Sequence, residues 1–445
     1  SLRHMNIAIS GASGFIGRHL TAFLTEQGHR VVPLGRPMFR EGTLGYLVQA
    51  LSHCDVVINL AGAPISRRWT PEYKRELYDS RINVTHRIIR ALGAVRRKPQ
   101  LMISASAVGY YPLEGTFDEY TNTRGSGFLA DLCYAWEKEA KRCPPEMRLV
   151  IARFGVVLSP DGGAMEQMLR PLKMKLAAAI GPGTQPFPWI SINDLCRAMA
   201  FIIESGTLRG TFNFVSPQEI TQYAFARALG KAYHAWGTII VPRMCVQLMY
   251  GEGATSLTTG QYVRPGKLLE SGFKFHDAVV EQLFQGIDHT TVNELDLPRY
   301  MGRWYEIARY DHRFERGLSE VTATYTLLPD GSIRVENAGY KQDAHGRGRY
   351  KRAIGRAKIP DITRPGKLKV SFFLWFYSDY YILELDKEGY NYALIGSSSD
   401  KYLWILSRTP QLPEEVKKRL LTVALQRGYD INLLVWINQS TLKID

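Results

Sequence analysis

Three glycines spaced three apart are the first residues in this chain with a chemical use. The stretch "GASGFIG" runs from Gly11 to Gly17, between the apolar run "NIAIS" and the helical pattern "GRHLTAFLTEQGH". In a strand–turn–helix each glycine has its own task. Gly11 permits the tight turn, Gly14 lets backbone approach a pyrophosphate, and Gly17 lets the helix pack on the strand. The start of the helix then turns unpaired N–H groups toward phosphate. Gly11, Ser13, Gly14, Phe15, Ile16 and Gly17 are therefore candidate dinucleotide contacts. The end of the next strand, in "HRVVPLGRP", chooses between cofactors. An acid there would hold the ribose hydroxyls of NAD. This chain has Gly35 and Arg36, with no carboxylate beside them. A cation at that place suits the 2′-phosphate of NADP, so the expected cofactor is NADP(H).

The elements that must position these residues form two series. In the first, the short apolar runs "NIAIS", "HRVVPLGR", "CDVVINLAG", "PQLMISAS" and "RLVIARFGVVL" alternate with helical patterns such as "PEYKRELYDSRINVTHRIIRAL". Buried strands alternating with helices predict a parallel, doubly wound α/β sheet. The pattern changes near residue 286. After "EQLFQG" and the polar connection "IDHTTVNELDLPRYMG" come many Tyr-, Val- and Ile-rich runs broken by turns, from "GRWYEIARY" to "KYLWILSRTP". Such runs predict an antiparallel barrel, followed by one helix in "LPEEVKKRLLTVALQRG" and a last strand in "NLLVWIN". The expected domains are residues 5–285 and 286–445. The four residues before Met5 read as a tag remnant.

Composition narrows the function classes. The chain has 445 residues, too many for one core, with 45% hydrophobic and 22% charged residues. No apolar run is long enough for a transmembrane helix. Cys54, Cys133, Cys143, Cys196 and Cys245 are odd in number and irregularly spaced, which predicts reduced thiols and no metal site. The net charge of +14 is compatible with anionic small partners, but no basic helix or aromatic–basic repeat argues for nucleic acid.

Several blocks carry a family resemblance: "GFIG", "NLAG", "RRW", "SRI", "SASAVGYY", "RFGVVLSPDGGAM" and "FPWISINDL". With them, residues 5–285 resemble the extended short-chain dehydrogenase/reductase superfamily. More narrowly, they are similar to its atypical "epimerase family" proteins, typified by the human 39U member. The resemblance implies that Leu60, Ala61 and Gly62 line the adenine side, and that Glu76, Arg81 and Val157 border the cofactor. It also implies an oxidoreductase or epimerase chemistry, in which a Tyr hydroxyl moves a proton, a Lys lowers that Tyr pKa, and a Ser orients the substrate carbonyl. Ser106 falls at the serine's place, and Ser104, next inward, is counted among the cofactor contacts. Tyr134 and Lys138 have the i,i+4 spacing of the pair. Alignment through "WE", however, puts Leu129 and Cys133 at the pair's places. Tyr110 and Tyr111 are further hydroxyls near the cleft. Two expectations stand side by side: an enzyme using Ser106, Tyr110, Tyr134 and Lys138, or a protein that holds NADP(H) without turnover.

The second series has its own resemblance. "GRWYEIAR", "RYDHRFERG", "VTATYTL", "LKVSFF" and "YLWILSRTP" make residues 288–440 similar to the bacterial lipocalins. An eight-stranded barrel holds one small apolar molecule. Trp304 is expected to plug its closed end, with Arg408 stacked on the indole. For "LKVSFFLWFYSDYY" the sequence leaves two inward-facing sets open, Phe372, Leu374 and Phe376 or Phe373 and Trp375. The first is the set assigned to the ligand, which the resemblance implies is a fatty acid or lysophospholipid. Bacterial lipocalins are usually exported and anchored through a Cys. Here a nucleotide-binding domain stands in that position, so the expected location is the cytoplasm.

Overall fold

A computed structural model describes residues 4–121, 123–159, 162–284, 286–312, 315–342, 348–373 and 376–439. Contacts divide the chain into two compact units, Ser1–Gln285 and Gly286–Asp445.

The first unit is built on β1 (Asn6–Ser10), β2 (Arg30–Leu34), β3 (Val56–Asn59) and β4 (Leu101–Ala107), with strands Arg148–Phe154 and Gly210–Phe214. The sheet order is Gly210–Phe214, Arg148–Phe154, β4, β3, β1, β2, parallel throughout. Helices cover both faces because the strands are apolar on both. On one side α1 (Phe15–Glu26) sets Leu20, Phe23 and Leu24 against Ile7, Ile9 and the helix Ile192–Ser205. On the other, α2 (Leu44–Leu51) and α4 (Val84–Ala94) bury Leu47, Leu51, Ile88 and Leu92 against Ala8 and Val57. Each such side chain contributes about 1.5–3 kcal/mol. The doubly wound sheet expected from the alternating pattern is present.

Two stretches differ from the sequence reading. "RLVIARFGVVL" is not one strand. It breaks at Gly155, and Val156–Ser159 joins a separate small sheet beside Trp189–Ser191. A Cβ at Gly155 would lie 2.9 Å from the Pro188 carbonyl oxygen, so only glycine passes there. The long helical stretch after "RRW" is two helices, α3 (Pro71–Tyr78) and α4, joined by a π turn, Asp79–Asn83. The five cysteines are free thiols. Among the described residues no helix is long and apolar enough to cross a membrane.

The second unit is a closed barrel of eight antiparallel strands: Gly302–Tyr310, Leu318–Leu327, Ile333–Gln342, Gly348–Lys358, Lys367–Phe373, Phe376–Leu385, Tyr392–Gly396 and Leu403–Ser407. The first strand closes it by pairing with both the second, Trp304 opposite Ala323, and the eighth, Tyr305 opposite Ser407. The helix Glu414–Gln426 buries Leu420 and Ala424 on the outside. The last strand, Leu434–Trp436, then pairs with the far end of the first, Ala308 opposite Trp436.

Trp304 is fully buried and donates from Nε1 to the Tyr300 carbonyl at 2.9 Å. The Arg408 guanidinium carbon lies 3.8 Å over its ring. Arg408 also donates to the carbonyls of Arg299 (2.7 Å), Tyr390 (3.0 Å) and Arg303 (3.1 Å). One cation therefore ties three chain segments across the plugged end. Arg408→Ala is expected to lower stability by about 3 kcal/mol, read as a lower denaturation midpoint by Trp fluorescence. A change under about 0.5 kcal/mol would show that the clamp is decorative.

Candidate functional site

The site in the first unit starts from the register of three strands. Ser10 stands opposite Asn59, and Asn59 opposite Ser104, so the carboxyl ends of β1 and β3 and the middle of β4 carry a row of polar side chains, all 0% exposed. Ser10 Oγ donates to Asn59 Oδ1 at 2.6 Å. Asn59 Nδ2 donates to Thr85 Oγ1 at 2.8 Å and to Ser104 Oγ at 3.4 Å. The Leu60 N–H donates to Ser10 Oγ at 3.1 Å. A buried polar row of this kind is costly unless satisfied, and here its satisfaction fixes where the loop from Leu60 leaves the sheet. Ser104 was legible from its block. Asn59 and Thr85 were not singled out, although a lone Asn ending "VVIN" is a usable signal.

The glycine turn lies against that loop. Gly11 has φ +72°, and a Cβ on it would lie 2.9 Å from the Leu60 carbonyl carbon. A Cβ on Gly17 would lie 2.0 Å from the Gly11 oxygen. Gly14 caps α1 with no side-chain hydrogen bond, so the helix start is left to backbone groups. Ser13 and Gly14 are exposed, while Phe15 and Ile16 are half-buried. The Phe15 ring packs on Gly162 and Gly163, where an added Cβ would lie 2.9 Å from it. Gly35 and Arg36 are exposed directly after β2, and the first carboxylate beyond that strand is Glu41.

The remaining cofactor candidates fall into two groups. Leu60, Ala61, Gly62 and Arg81 are contiguous. The Arg81 guanidinium carbon would lie 2.9 Å from a Cβ on Gly62, and it stands 5.1 Å over the Trp136 ring. Arg81 belongs to the π turn, an irregularity often kept at functional positions. Burial holds its guanidinium below the ordinary range. Val157 packs with Ile16 and Leu60 against the sheet core. Glu76, by contrast, is exposed on α3.

The four catalytic candidates fall in two places, Tyr134 and Lys138 on one helix face and Ser106 and Tyr110 in a buried network. On α5 (Phe128–Ala140), Cys133 and Glu137 are 1% and 2% exposed, and Leu129 packs against Gly109, where a Cβ would lie 2.5 Å from its side chain. Tyr134 is 39% exposed, with Arg124 stacked 3.9 Å over its ring, and Lys138 is exposed too. The pair expected from spacing alone shares the outer face, a quarter-turn from the buried one. The places that the "WE" alignment gave to Leu129 and Cys133 face inward. Burial pushes the Cys133 thiol up to about 12, so it offers no thiolate.

Ser106 donates to Glu137 Oε2 at 2.6 Å. Glu137 in turn is held by Arg153 through two bonds, Nε to Oε2 at 2.9 Å and Nη2 to Oε1 at 2.7 Å. Arg153 Nη1 donates to Tyr111 OH at 3.0 Å, and that hydroxyl donates to Asn213 Oδ1 at 2.9 Å. The guanidinium carbon sits 3.7 Å over the Tyr110 ring. Burial opposes the Arg153 charge, but bonding to Glu137 outweighs it and holds the guanidinium above its ordinary range. Ser106, Tyr110 and Tyr111 thus belong to a buried network around one ion pair. Glu137, Arg153 and Asn213 were not singled out from sequence.

The site in the second unit is the barrel interior, a cavity of about 860 Å³. Its apolar wall includes Val321, Ala323, Val335, Val370, Phe372 and Ile395. Phe372 of the expected ligand set therefore faces the cavity. Leu374 and Trp375 lie outside the described residues, as do the side chains of Phe373 and Phe376. The wall also carries Glu306, His312, Glu315 and Tyr380, which the sequence reading passed over.

Three stretches match known families. Residues 7–214 match the NAD dependent epimerase/dehydratase family, residues 241–285 a domain of unknown function, and residues 295–439 the lipocalin-like domain. The epimerase family protein YfhF of Bacillus subtilis is 35% identical over 285 residues, covering 61% of this chain and 94% of that one. The epimerase family protein SH2119 of Staphylococcus haemolyticus is 34% identical over 295 residues, covering 63% and 97%. Among solved structures, human epimerase family protein SDR39U1 (isoform 2) with NADPH superposes with a TM-score of 0.59 at 32% identity, covering 63% of this chain and 98% of that one.

Proposed function

Because the chain belongs to the epimerase family through its first unit and continues into a lipocalin-like barrel, we propose that it is an NADP(H)-binding carrier of an amphiphilic molecule. One observation carries this reading. The α5 face toward β4 presents Leu129, Cys133 and Glu137, while Tyr134 and Lys138 point outward. The residues at the dinucleotide cleft fit NADP(H). The glycine turn has no room for a Cβ at Gly11 or Gly17, the α1 start is free of side-chain caps, and Arg36 stands where NAD sites place an acid. When bound, the cofactor supplies a hydride donor or acceptor. A relative of known structure was solved with NADPH, which supports the same cofactor here. The barrel holds the apolar chain of a fatty acid or lysophospholipid along Phe372 and its neighbours, and the whole acts in the cytoplasm.

A second reading, an NADP(H)-dependent oxidoreductase or epimerase, rests on Ser106 and Tyr110 at the end of β4. In that reading Ser106 must exchange its bond to Glu137 for one to substrate. One titration series separates the readings. The purified chain is expected to bind NADPH about ten- to a hundredfold more tightly than NADH, and Arg36→Glu to invert the order. Equal affinities would remove Arg36 from the site. NADPH oxidation with a panel of enals, ketones and lipid aldehydes is expected to stay at the blank rate, and turnover with any of them would favour the enzyme.

A further inference from the structure

Two of the acids that line the barrel cavity share one wall, away from the exposed cations Lys351 and Arg352 on the fourth strand. Glu306, on the first barrel strand, is 5% exposed and faces the cavity, as does Glu315. The two carboxyls are close enough for Glu315 to disfavour the charge on Glu306. Arg309 Nη1 donates to Glu306 Oε1 at 2.9 Å, but Arg309 is 1% exposed and stands behind the wall. His312 Nε2 lies 2.8 Å from Glu315 Oε2, and Trp404 Nε1 donates to that same oxygen at 3.1 Å. The Trp404 and Tyr402 rings stack at 5.7 Å and 5° and line the cavity too, with the His312 ring edge-on to both at 5.6 Å. The cavity surface therefore meets two carboxyls framed by aromatic faces, with the balancing guanidinium out of reach.

That arrangement selects a head group. An anionic head would face two carboxyls. A cationic head finds acceptor oxygens and ring faces together, the combination that recognises ammonium groups. We propose that the barrel carries an interior head-group site in which Glu306, Glu315, Trp404 and Tyr402 take the primary or quaternary ammonium of a single-chain amphiphile. Its tail lies along Val321, Val335, Val370, Phe372 and Ile395. This rests on the carrier reading and narrows its cargo: a single-chain lipid whose head ends in an ammonium fits, and a fatty acid does not.

Proton exchange follows from the same cluster. Burial, with Glu315 adjacent, raises Glu306 well above the ordinary carboxylate range. Burial also works against the charge on Glu315, but His312, Trp404 and Arg309 outweigh it and hold that carboxyl low. The groups acting on Glu306 are thus Arg309 on its own strand, Glu315 on the following loop, with His312 bound to Glu315, and Tyr325 on the second strand. Asp379, Lys351 and Arg352 lie elsewhere on the cavity wall. Burial and the neighbouring Glu315 carboxyl disfavour a second negative charge on Glu306. An arriving ammonium favours the second charge, so Glu306 releases its proton. Cationic cargo should therefore bind more tightly as pH rises.

The test uses the full chain with dodecylamine, dodecyltrimethylammonium, dodecanol and dodecanoate, followed by calorimetry and Trp fluorescence. Both cations are expected to bind at least about tenfold more tightly than dodecanol, and dodecanoate less tightly than dodecanol. Amine affinity should rise as pH climbs above the ordinary carboxylate range, with proton release seen as a dependence of the heat on buffer ionisation enthalpy. Glu306→Gln should bring the ratio of amine to dodecanol affinity to about one and abolish the buffer dependence. Binding of dodecanoate as tight as that of the amine overturns the proposal while leaving the carrier reading intact. Failure of all four probes to bind overturns both.

Discussion

Gly17→Ala is expected to cost about 3 kcal/mol of stability in the first unit and to lower NADPH affinity at least about tenfold. The cause is steric. The added methyl would stand 2.0 Å from the Gly11 oxygen and 2.7 Å from the Ala12 Cα, and both are backbone atoms that no rotamer change can clear. Relief requires α1 to move away from the turn, which opens the Leu20, Phe23 and Leu24 contacts with the sheet and displaces the amides aimed at the pyrophosphate. Gly93→Ala is the control. It lies within α4 with open space around its Cα, so alanine there should be neutral or stabilising by about 0.5–1 kcal/mol. Urea midpoints and NADPH titrations of the two variants, compared with the parent, decide the matter. Equal behaviour would mean that the close packing of helix on turn has no energetic weight.

Arg153→Met is expected to be the most destabilising change in this unit, at about 3–5 kcal/mol. Arg153 and Glu137 have side chains 5% and 1% exposed, and removing the cation strands a carboxylate whose other bond is the Ser106 hydroxyl. Replacing both partners, Arg153→Met with Glu137→Leu, should recover most of the loss, because an apolar pair of similar volume has no desolvated charge to compensate. Ser106→Ala should cost only about 1 kcal/mol. Chemical denaturation of the three variants gives the ranking. A double variant as unstable as the single one would show that Arg153 acts through Tyr110 and Tyr111 rather than through Glu137.

The alternation of apolar runs and helices told the architecture of the first unit, because a parallel sheet covered on both faces needs strands that are predominantly apolar. The lipocalin-like barrel was equally visible in its Trp- and Arg-bearing motifs, since Trp304 and Arg408 meet in one local clamp. The site was less legible. A spacing of four identifies a helix face but not which face is buried, and only packing of Leu129 on Gly109 and the pairing of Glu137 with Arg153 decides that Tyr134 looks outward. The break at Gly155 escaped for a similar reason, because β-rich residues continue across it while the partner strand changes. Inside the barrel, aromatic density drew attention to the "SFFLWFYSDYY" stretch. The carboxyls of Glu306 and Glu315 looked like ordinary surface acids in sequence, and they become cavity groups only when the barrel closes around them.

The pairing of Ala308 with Trp436 joins the first barrel strand to almost the last described residues of the chain. That strand is the first of the barrel to emerge and waits for this neighbour until the other seven barrel strands have followed. The sheet of the first unit, by contrast, has all six strands once Phe214 is out. Non-local pairings of this kind form slowly, and nascent domains fold in the order in which they leave the ribosome. The nucleotide-binding half is therefore ready first, and the barrel is the late step, with exposed strand edges for a chaperone to guard.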